Sequence, residues 1–189
     1  MTVRKAKETD RMDIALCISE AFEKDFSVLC KDPSIVAKAI NSGIIIDKFY
    51  VAELDNEIVG VIAISNCNGR AVITDSSSYK KYFGFVKGLI AKMVLKEEFE
   101  TPIDYPSTTG YIEFVSVRKS HRRKGIATTL INESLKLSEY SEYVLDVTDI
   151  NTSAINCYSN FGFEEFNRIK EKHSKQKGFN EKIYMKYKK

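Results

Sequence analysis

The spacing of apolar side chains along this chain switches between two periods. Short runs alternate apolar and polar residues, which predicts strands, and longer runs repeat apolar residues every three or four positions, which predicts helices. Strands are predicted at 2–6, 49–54, 57–65, 111–117, 143–147, 164–169 and 182–187. Helices are predicted at 10–22, 33–42, 79–98, 124–138 and 151–161.

Capping and turn residues support several of these boundaries. Asp32 followed by Pro33 is a typical helix start, and Gly162 is a typical left-handed helix end. Asp55 and Asn56 separate the strand predicted at 49–54 from the return strand at 57–65, which is rich in Ile and Val, and this predicts a tight hairpin turn.

The segment 67–109 resembles an insertion. Its apolar residues recur at helical period over about five turns, with lysines between them. They are Tyr82, Phe83, Val86, Leu89, Ile90, Met93 and Val94. Because the segment is too small to bury a core of its own, we expect one domain over 1–189, with 67–109 inserted between the third and fourth core strands. The helix could pack on its own sheet or on a partner, which leaves a homodimer open.

The order of elements predicts the fold class. Strands lead, a strand–helix–strand–helix series follows, and strands close the chain, which is typical of an α/β (α+β) fold with a mixed sheet. The right-handed crossover rule makes 111–117 and 143–147 a parallel pair.

Composition excludes several function classes. The chain has 189 residues, 43% of them hydrophobic, so it is long enough for one globular domain. It has no apolar run of membrane-spanning length and no apolar secretory signal, so we expect a cytoplasmic protein. A net charge of +3, from 29 basic and 26 acidic residues, disfavours a nucleic-acid binder. Four widely spaced cysteines and two histidines predict free thiols and no metal site: Cys17, Cys30, Cys67, Cys157, His121 and His173.

The loop after the fourth predicted strand carries the strongest chemical signal. It leads into a helix whose first turn contains Gly125 and Ala127, and small residues there let a ligand approach the backbone. The first amides of a helix have no internal partner and form an anion site that suits a pyrophosphate. Arg122, Arg123 and Lys124 add positive charge. The alternative is that Gly125 only eases a turn beside a solvated basic run.

A second pattern lines the last predicted helix. Asn151 opens it, and Tyr158 follows seven positions later, so both side chains share one face. Taken alone, Asn151 could simply be an N-cap and Tyr158 a partly buried aromatic residue. Cys157 points about 100° away from Tyr158 and is interpreted as a packing residue.

Together the two patterns resemble the GCN5-related N-acetyltransferase (GNAT) superfamily. Its phosphate-binding pattern, Arg or Gln, two residues, Gly, one residue, Gly or Ala, is filled by Arg122, Gly125 and Ala127. Its later pattern of Asn, Ala, Tyr and Gly-Phe is filled by Asn151, Ala154, Tyr158, Gly162 and Phe163. The resemblance covers about 111–163. It implies a mostly antiparallel central sheet with a splayed parallel strand pair and helices on both faces.

The resemblance also implies a cofactor and a site. Acetyl-CoA would be the co-substrate, a small-molecule or peptide amine would be the acceptor, and no metal would take part. The pantetheine arm would lie between 111–117 and 143–147, where an amide near Val115 would polarise the thioester carbonyl. The implied cofactor-binding residues are Val115, Ser116, Val117, Arg122, Arg123, Lys124, Gly125, Ile126, Ala127, Thr128, Asn151 and Tyr158.

Acetyl transfer needs a base for the amine and a proton donor for the thiolate. A primary amine has a pKa of about 10.4, so forming its neutral state at pH 7 costs about 4–5 kcal/mol, and a carboxylate can accept the proton. Glu113 stands where many relatives carry the base, and Asp146 is the second candidate. The resemblance makes Tyr158 the general acid.

Two further functions remain as hypotheses. One is a non-catalytic acyl-CoA-binding module on the same fold, since a fold does not determine activity. The other is a basic nucleic-acid binder, which predicts steeply salt-dependent binding and which the near-balanced charge disfavours.

Overall fold

The computed structural model describes residues 1–189, folded as a seven-stranded sheet with eight α-helices. The strands are β1 (Thr2–Lys5), β2 (Phe49–Leu54), β3 (Glu57–Ser65), β4 (Thr109–Val117), β5 (Glu142–Thr148), β6 (Glu164–Lys170) and β7 (Glu181–Lys188). The helices are α1 (Arg11–Ala21), α2 (Glu23–Phe26), α3 (Pro33–Ile40), α4 (Ser76–Phe83), α5 (Phe85–Glu100), α6 (Ile126–Leu137), α7 (Thr152–Phe161) and α8 (Ser174–Lys177).

The sheet is mostly antiparallel and opens at one place. Its strand order is β1-β2-β3-β4-β5-β7-β6, and only β4 and β5 run parallel. These two strands form three residue pairs, ending with Tyr111 opposite Val144, although both strands continue beyond them. The two strands therefore diverge beyond these pairs, which confirms the predicted parallel pair and its splay.

A bulge in β4 lies beside this divergence. Val61 of β3 pairs with Ser116, but Ala63 pairs with Glu113, so β4 holds one extra residue there. Phe114 takes a left-handed backbone with φ of 53°, a conformation that costs a bulky residue of the order of 1–3 kcal/mol. Three rings pack on Phe114 with centroid distances of 5.6–6.2 Å: Phe22, Phe49 and Phe99.

Helices cover both faces of the sheet, as expected from the resemblance. On one face, α1, α3, α4 and α5 contribute to a core cluster of 22 buried residues. On the other, α6 and α7 contribute to a cluster of 17 buried residues that includes Tyr158 and Ile126. The gap between β4 and β5 thus lies between two packed layers.

The local start, stop and turn signals are confirmed. Asp32 caps α3 by accepting the Ser34 amide at 2.8 Å. Gly162 ends α7 in the left-handed region with φ of 112°. In the hairpin turn, Asp55 and Asn56 both have positive φ, at 52° and 65°, as a two-residue turn between twisted strands requires.

The single helix predicted at 79–98 is wrong, because the chain breaks it into α4 and α5. Gly84, with φ of 84° and ψ of 165°, turns the chain between them. The two helices then pack so closely that a Cβ on Gly88 would lie 2.6 Å from the backbone nitrogen of Lys80. The apolar period continues across the turn, so the sequence pattern did not reveal the break.

Most of the apolar residues from which the helix at 79–98 was predicted lie on the exposed, outer side of α5. The buried positions of α5 are Gly88, Ala91, Leu95 and Phe99. The exposed large apolar side chains of α5 are Phe85, Val86, Leu89, Ile90, Met93 and Val94. None of the eight helices combines the length and the apolar character needed to cross a membrane.

Candidate functional site

The gap between β4 and β5 leaves one edge of β4 without a strand partner. Along this stretch, Val115 and Val117 are half-buried and pack toward the layer of α6 and α7. Ser116 is buried, and its hydroxyl donates a hydrogen bond to the Cys17 carbonyl of α1 at 2.7 Å. An unpaired strand edge can bond to an extended ligand as it would to another strand.

The loop that follows β4 has the backbone of an anion site. Arg123 and Gly125 are left-handed, with φ of 61° and 75°, and α6 begins at Ile126. The six consecutive amides of residues 123–128 make no hydrogen bond within the protein, and the first bonded amide is that of Thr129, which donates to the Gly125 carbonyl at 3.0 Å. Successive unpaired amides at a helix start bind phosphate groups.

The side chains of this loop add free positive charge. Arg122, Arg123 and Lys124 are exposed, and none of them forms an ion pair. The Arg122 Nε donates to the Val117 carbonyl at 3.1 Å and so ties the loop to the end of β4. Of the remaining predicted residues, Ile126 is buried in the core, Ala127 is half-buried and Thr128 is exposed. Unpaired amides and unpaired cations in one turn fit a diphosphate.

Helix α7 brings Tyr158 to the same layer. The Tyr158 side chain is buried, its hydroxyl makes no hydrogen bond within the protein, and burial raises its pKa, with smaller contributions from Cys157 and Asp146. Asn151 caps α7 by accepting the Ala154 amide at 3.2 Å, so the N-cap interpretation holds, and its side-chain nitrogen has no partner within the protein.

Glu113 lies in a nearly closed ionic site. Its side chain is 4% exposed, and one oxygen accepts hydrogen bonds from Arg70 Nε at 2.8 Å and Nη2 at 2.5 Å. The other oxygen accepts from the Ser65 hydroxyl and from the Ala71 amide at 3.2 Å. These contacts use the four acceptor positions of the carboxylate. Burial lowers the pKa of Arg70, but the hydrogen bonds to Glu113 and the charge of that carboxylate raise it overall.

Asp146 lies two residues beyond the last pair of β5 with β4, inside the gap. One carboxylate oxygen accepts a hydrogen bond from the Tyr111 hydroxyl, and the other lies 3.2 Å from Lys182 Nζ. The side chain is 21% exposed. Burial and then the Asp146 charge raise the pKa of Tyr111. Burial by itself lowers the pKa of Lys182, but the nearby carboxylates of Asp146 and Glu98 raise it overall.

Several residues at this site are not indicated by the sequence patterns. The Arg70 guanidinium lies 5.4 Å from the Tyr111 ring centroid, and Tyr105 stacks on the same ring at 6.2 Å. Tyr184 of β7 pairs in register with Asp146. Lys182 and Tyr184 lie two residues apart on β7 and therefore on the same face of the sheet, so the alternating pattern of this strand could have indicated both of them. Arg70 and Tyr105 lie in irregular segments with no local signal.

No group of three or more His, Cys, Asp or Glu side chains is arranged to hold a metal ion. All four cysteines are free thiols.

Comparison with protein families gives one match over most of the chain. The model of the acetyltransferase (GNAT) family matches residues 18–163, a range that includes β4, the basic loop and all of α7. None of the curated proteins matches the chain.

Solved structures share the fold over the whole chain. An N-acetyltransferase from Staphylococcus aureus Mu50 matches with a TM-score of 0.67 and 18% identity, covering 99% of this chain and 100% of that one. A ribosomal-protein-alanine N-acetyltransferase from Brucella melitensis matches with a TM-score of 0.61 and 15% identity, covering 100% of both chains. A GNAT-family acetyltransferase from Streptococcus pneumoniae matches with a TM-score of 0.60 and 16% identity, covering 99% of this chain and 98% of that one.

Proposed function

This chain belongs to the acetyltransferase (GNAT) family of acetyl-CoA-dependent N-acetyltransferases, and on that premise we propose that a primary amine attacks the acetyl thioester directly in the gap between β4 and β5. The observation that carries the proposal is the coincidence of three features at this gap. They are an unpaired strand edge, a loop of unpaired amides at its end, and a carboxylate and a phenol beside it.

Acetyl-CoA supplies the activated acetyl group, and the basic loop would hold its diphosphate. The amides of residues 123–128 donate to phosphate oxygens, and Arg122, Arg123 and Lys124 neutralise their charge. The free edge at Val115 and Val117 pairs with the amides of the pantetheine arm. Asn151, directly before α7, and Thr128, in the first turn of α6, complete the set of residues proposed to contact the cofactor.

The bulge at Phe114 gives Val115 its role. A regular strand would keep each backbone group in the ladder, whereas the extra residue interrupts the β3–β4 register at this point. We assign the Val115 amide to the thioester carbonyl, whose oxygen becomes more negative as the amine attacks. A fixed amide aimed at that oxygen lowers the barrier by oxyanion-type stabilisation.

Asp146 is the better placed of the two candidate bases. Its carboxylate lies within the gap and is partly exposed, and the Tyr111 hydroxyl and Lys182 orient it. Glu113 lies on the same strand as the proposed cofactor edge, but Arg70, Ser65 and Ala71 already occupy its acceptor positions. We therefore propose that Asp146 accepts the amine proton and that Glu113 fixes Arg70 behind the site.

Tyr158 is proposed to act on the leaving thiolate. A phenol whose pKa lies above its ordinary value stays protonated, so it can donate a hydrogen bond to the sulfur as negative charge develops. Complete proton transfer would be uphill, because a thiol has a pKa of about 8.5. The hydrogen bond therefore carries most of the stabilisation.

The acceptor is proposed to enter on the face opposite α6 and α7. There Tyr105, Tyr111 and Tyr184 surround Asp146, and the segment between β3 and β4 supplies Tyr105 and Arg70. Aromatic and charged groups of both signs suit a small-molecule or peptide amine. We propose that the 67–109 insertion forms one wall of this entrance.

Substitution of the two carboxylates tests the assignment of the base. We expect Asp146→Asn to lower kcat about 10²- to 10⁴-fold at neutral pH, while the Kd for acetyl-CoA stays unchanged. Part of the loss should be recovered at high pH, where more of the amine is already neutral. The measurement is thiol release over a panel of amines, with acetyl-CoA binding followed by calorimetry.

Glu113→Gln and Asp149→Asn serve as the comparisons. Glu113→Gln leaves Arg70 buried without its partner, so we expect a lower Tm but a pH profile like that of the wild type. Asp149, which accepts the Asn180 amide at 3.1 Å, should tolerate the change to Asn. If Glu113→Gln alone removes activity in folded protein, Glu113 is the base. If acetyl-CoA binds but no amine turns over, the chain is an acyl-CoA-binding module.

A further inference from the structure

The outer face of α5 exposes six large apolar side chains to solvent. Their exposed fractions run from 45% for Leu89 to 71% for Met93. The six are Phe85, Val86, Leu89, Ile90, Met93 and Val94, and we call them the α5 outer face. A contiguous apolar patch of this kind is unusual on a surface that remains in water.

The α5 outer face lies opposite the side of the helix that the protein buries. At 100° per residue, Gly88, Ala91, Leu95 and Phe99 occupy one side, and the outer face covers the other. A helix that is apolar on both sides is expected where both sides are covered. The fold covers only one of them.

The charges at the two ends of α5 differ in sign. Lys80 and Lys81, at the end of α4, and Lys87 lie near its amino-terminal end. Its carboxyl-terminal end is acidic on balance, with Glu97, Glu98 and Glu100 beside Lys96, and Glu97 is in line with Val86, Ile90 and Met93 on the exposed side. This arrangement opposes the macrodipole of the helix, which favours acidic groups at the amino end and basic groups at the carboxyl end. Lys81 and Glu97 have no ion-pair partner within the protein.

We propose that the α5 outer face binds the same face of a second copy of this chain, with the two helices antiparallel. A twofold interface brings one patch against itself, and an axis near Leu89 and Ile90 superposes the centres of the two apolar faces. It also places the basic end of each α5 beside the acidic end of the other. An anionic lipid surface would attract the lysines but repel Glu97.

Oligomeric state measured by sedimentation velocity tests this proposal on the full chain. We expect the wild type to be a dimer at micromolar concentration. Ile90→Asp, at the centre of the interface, should weaken the dimer by on the order of 100-fold or more. Leu137→Asp is the matched control, because Leu137 is 55% exposed and lies on α6, on the opposite face of the sheet from α5, so this variant should remain a dimer.

Charge reversal tests the antiparallel orientation. Lys81→Glu and Glu97→Lys should each weaken the dimer at low salt, and the double variant should restore it. A wild type that stays monomeric at tens of micromolar, or a dimer that Ile90→Asp leaves intact, would overturn the proposal. A double variant weaker than either single one would overturn the orientation. Monomeric wild type that floats with phosphatidylserine vesicles would identify a lipid surface as the occupant instead.

Discussion

At the scale of single residues, burial of the Tyr158 side chain determines the protonation state of its phenol. The packing of α7 against the sheet raises the pKa of its phenol, and no group of the protein satisfies its hydroxyl. The hydroxyl oxygen itself is not fully buried, so it can donate its hydrogen bond to water or to a ligand in the gap. The sequence motif places Tyr158 on the correct face of α7, but only packing sets its protonation.

Tyr158→Phe should reduce turnover without reducing cofactor affinity. Loss of the hydrogen bond to the developing thiolate should lower kcat about 10²-fold, and the Kd for acetyl-CoA should stay within a factor of about two. Because the pKa of Tyr158 is raised above 10, the wild-type rate should show no decline caused by Tyr158 ionisation up to about pH 10.

Steady-state thiol release and calorimetry measure these two quantities. Tyr50→Phe is the matched control, since Tyr50 lies on β2, which β3 separates from β4 and the gap. Unchanged kcat in Tyr158→Phe would remove the proposed role of the hydroxyl.

At the scale of elements, Gly125 sets where α6 begins. The sequence predicts a start near Lys124, but the left-handed conformation of Gly125 delays the helix to Ile126. The delay leaves the amides before the helix unpaired and exposed to a ligand. The anion site therefore depends on one backbone conformation, which glycine adopts at little cost.

Gly125→Val should weaken acetyl-CoA binding by at least about 10-fold. A β-branched residue in the left-handed region is strained by about 1–2 kcal/mol, so the loop would move and its amides would turn away. Gly125→Asn tolerates that conformation, and no protein atom lies within 4 Å of the new Cβ. Any affinity that Gly125→Asn loses would then come from crowding of the ligand itself.

Gly178→Val is the control for backbone strain alone. Gly178 has φ of 74°, and a Cβ added there would also have nothing within 4 Å, but this glycine lies in the segment between β6 and β7. We expect this variant to lower Tm while the Kd for acetyl-CoA stays unchanged. If Gly125→Val binds acetyl-CoA as tightly as the wild type does, the diphosphate lies elsewhere.

At the scale of the whole molecule, an ion pair joins the first strand to the rest of the fold. Arg4 of β1 donates to both carboxylate oxygens of Asp10, at 2.7 and 3.0 Å, and to Glu53 of β2 at 2.7 Å. The hydrogen bond from Arg4 lowers the pKa of Asp10, although burial opposes this effect. The Lys7 amide donates to the same carboxylate at 2.8 Å.

Asp10→Asn should destabilise the protein at pH 7 by about 1–3 kcal/mol. Because the pKa of Asp10 is lower in the folded protein than in the unfolded chain, its stabilisation is present above an unfolded pKa of about 3.9 and is lost as the pH falls through the folded value. The difference in the free energy of unfolding between wild type and variant should therefore shrink below about pH 4.

Urea unfolding at pH 7 and at low pH measures this difference. The exposed Glu8 also has a lowered pKa through Arg11, so Glu8→Gln is the comparison, and solvent should make its effect small. A gap between wild type and Asp10→Asn that stays constant as the pH falls would contradict the assignment.

Sequence alone predicts most strands, the hairpin, the caps of α3 and α7, and the two motifs that identify the family. These features depend on residues close together in the chain, because side-chain period, φ preference and capping are local properties. Tertiary structure alone decides the break at Gly84, the bulge at Phe114, the partner of Glu113 and the place of Asp146 in the gap. The last three depend on packing or charge between segments far apart in the chain, where the local pattern carries no information about which residues will meet. The break at Gly84 is local, but the apolar period continues across it and so did not reveal it.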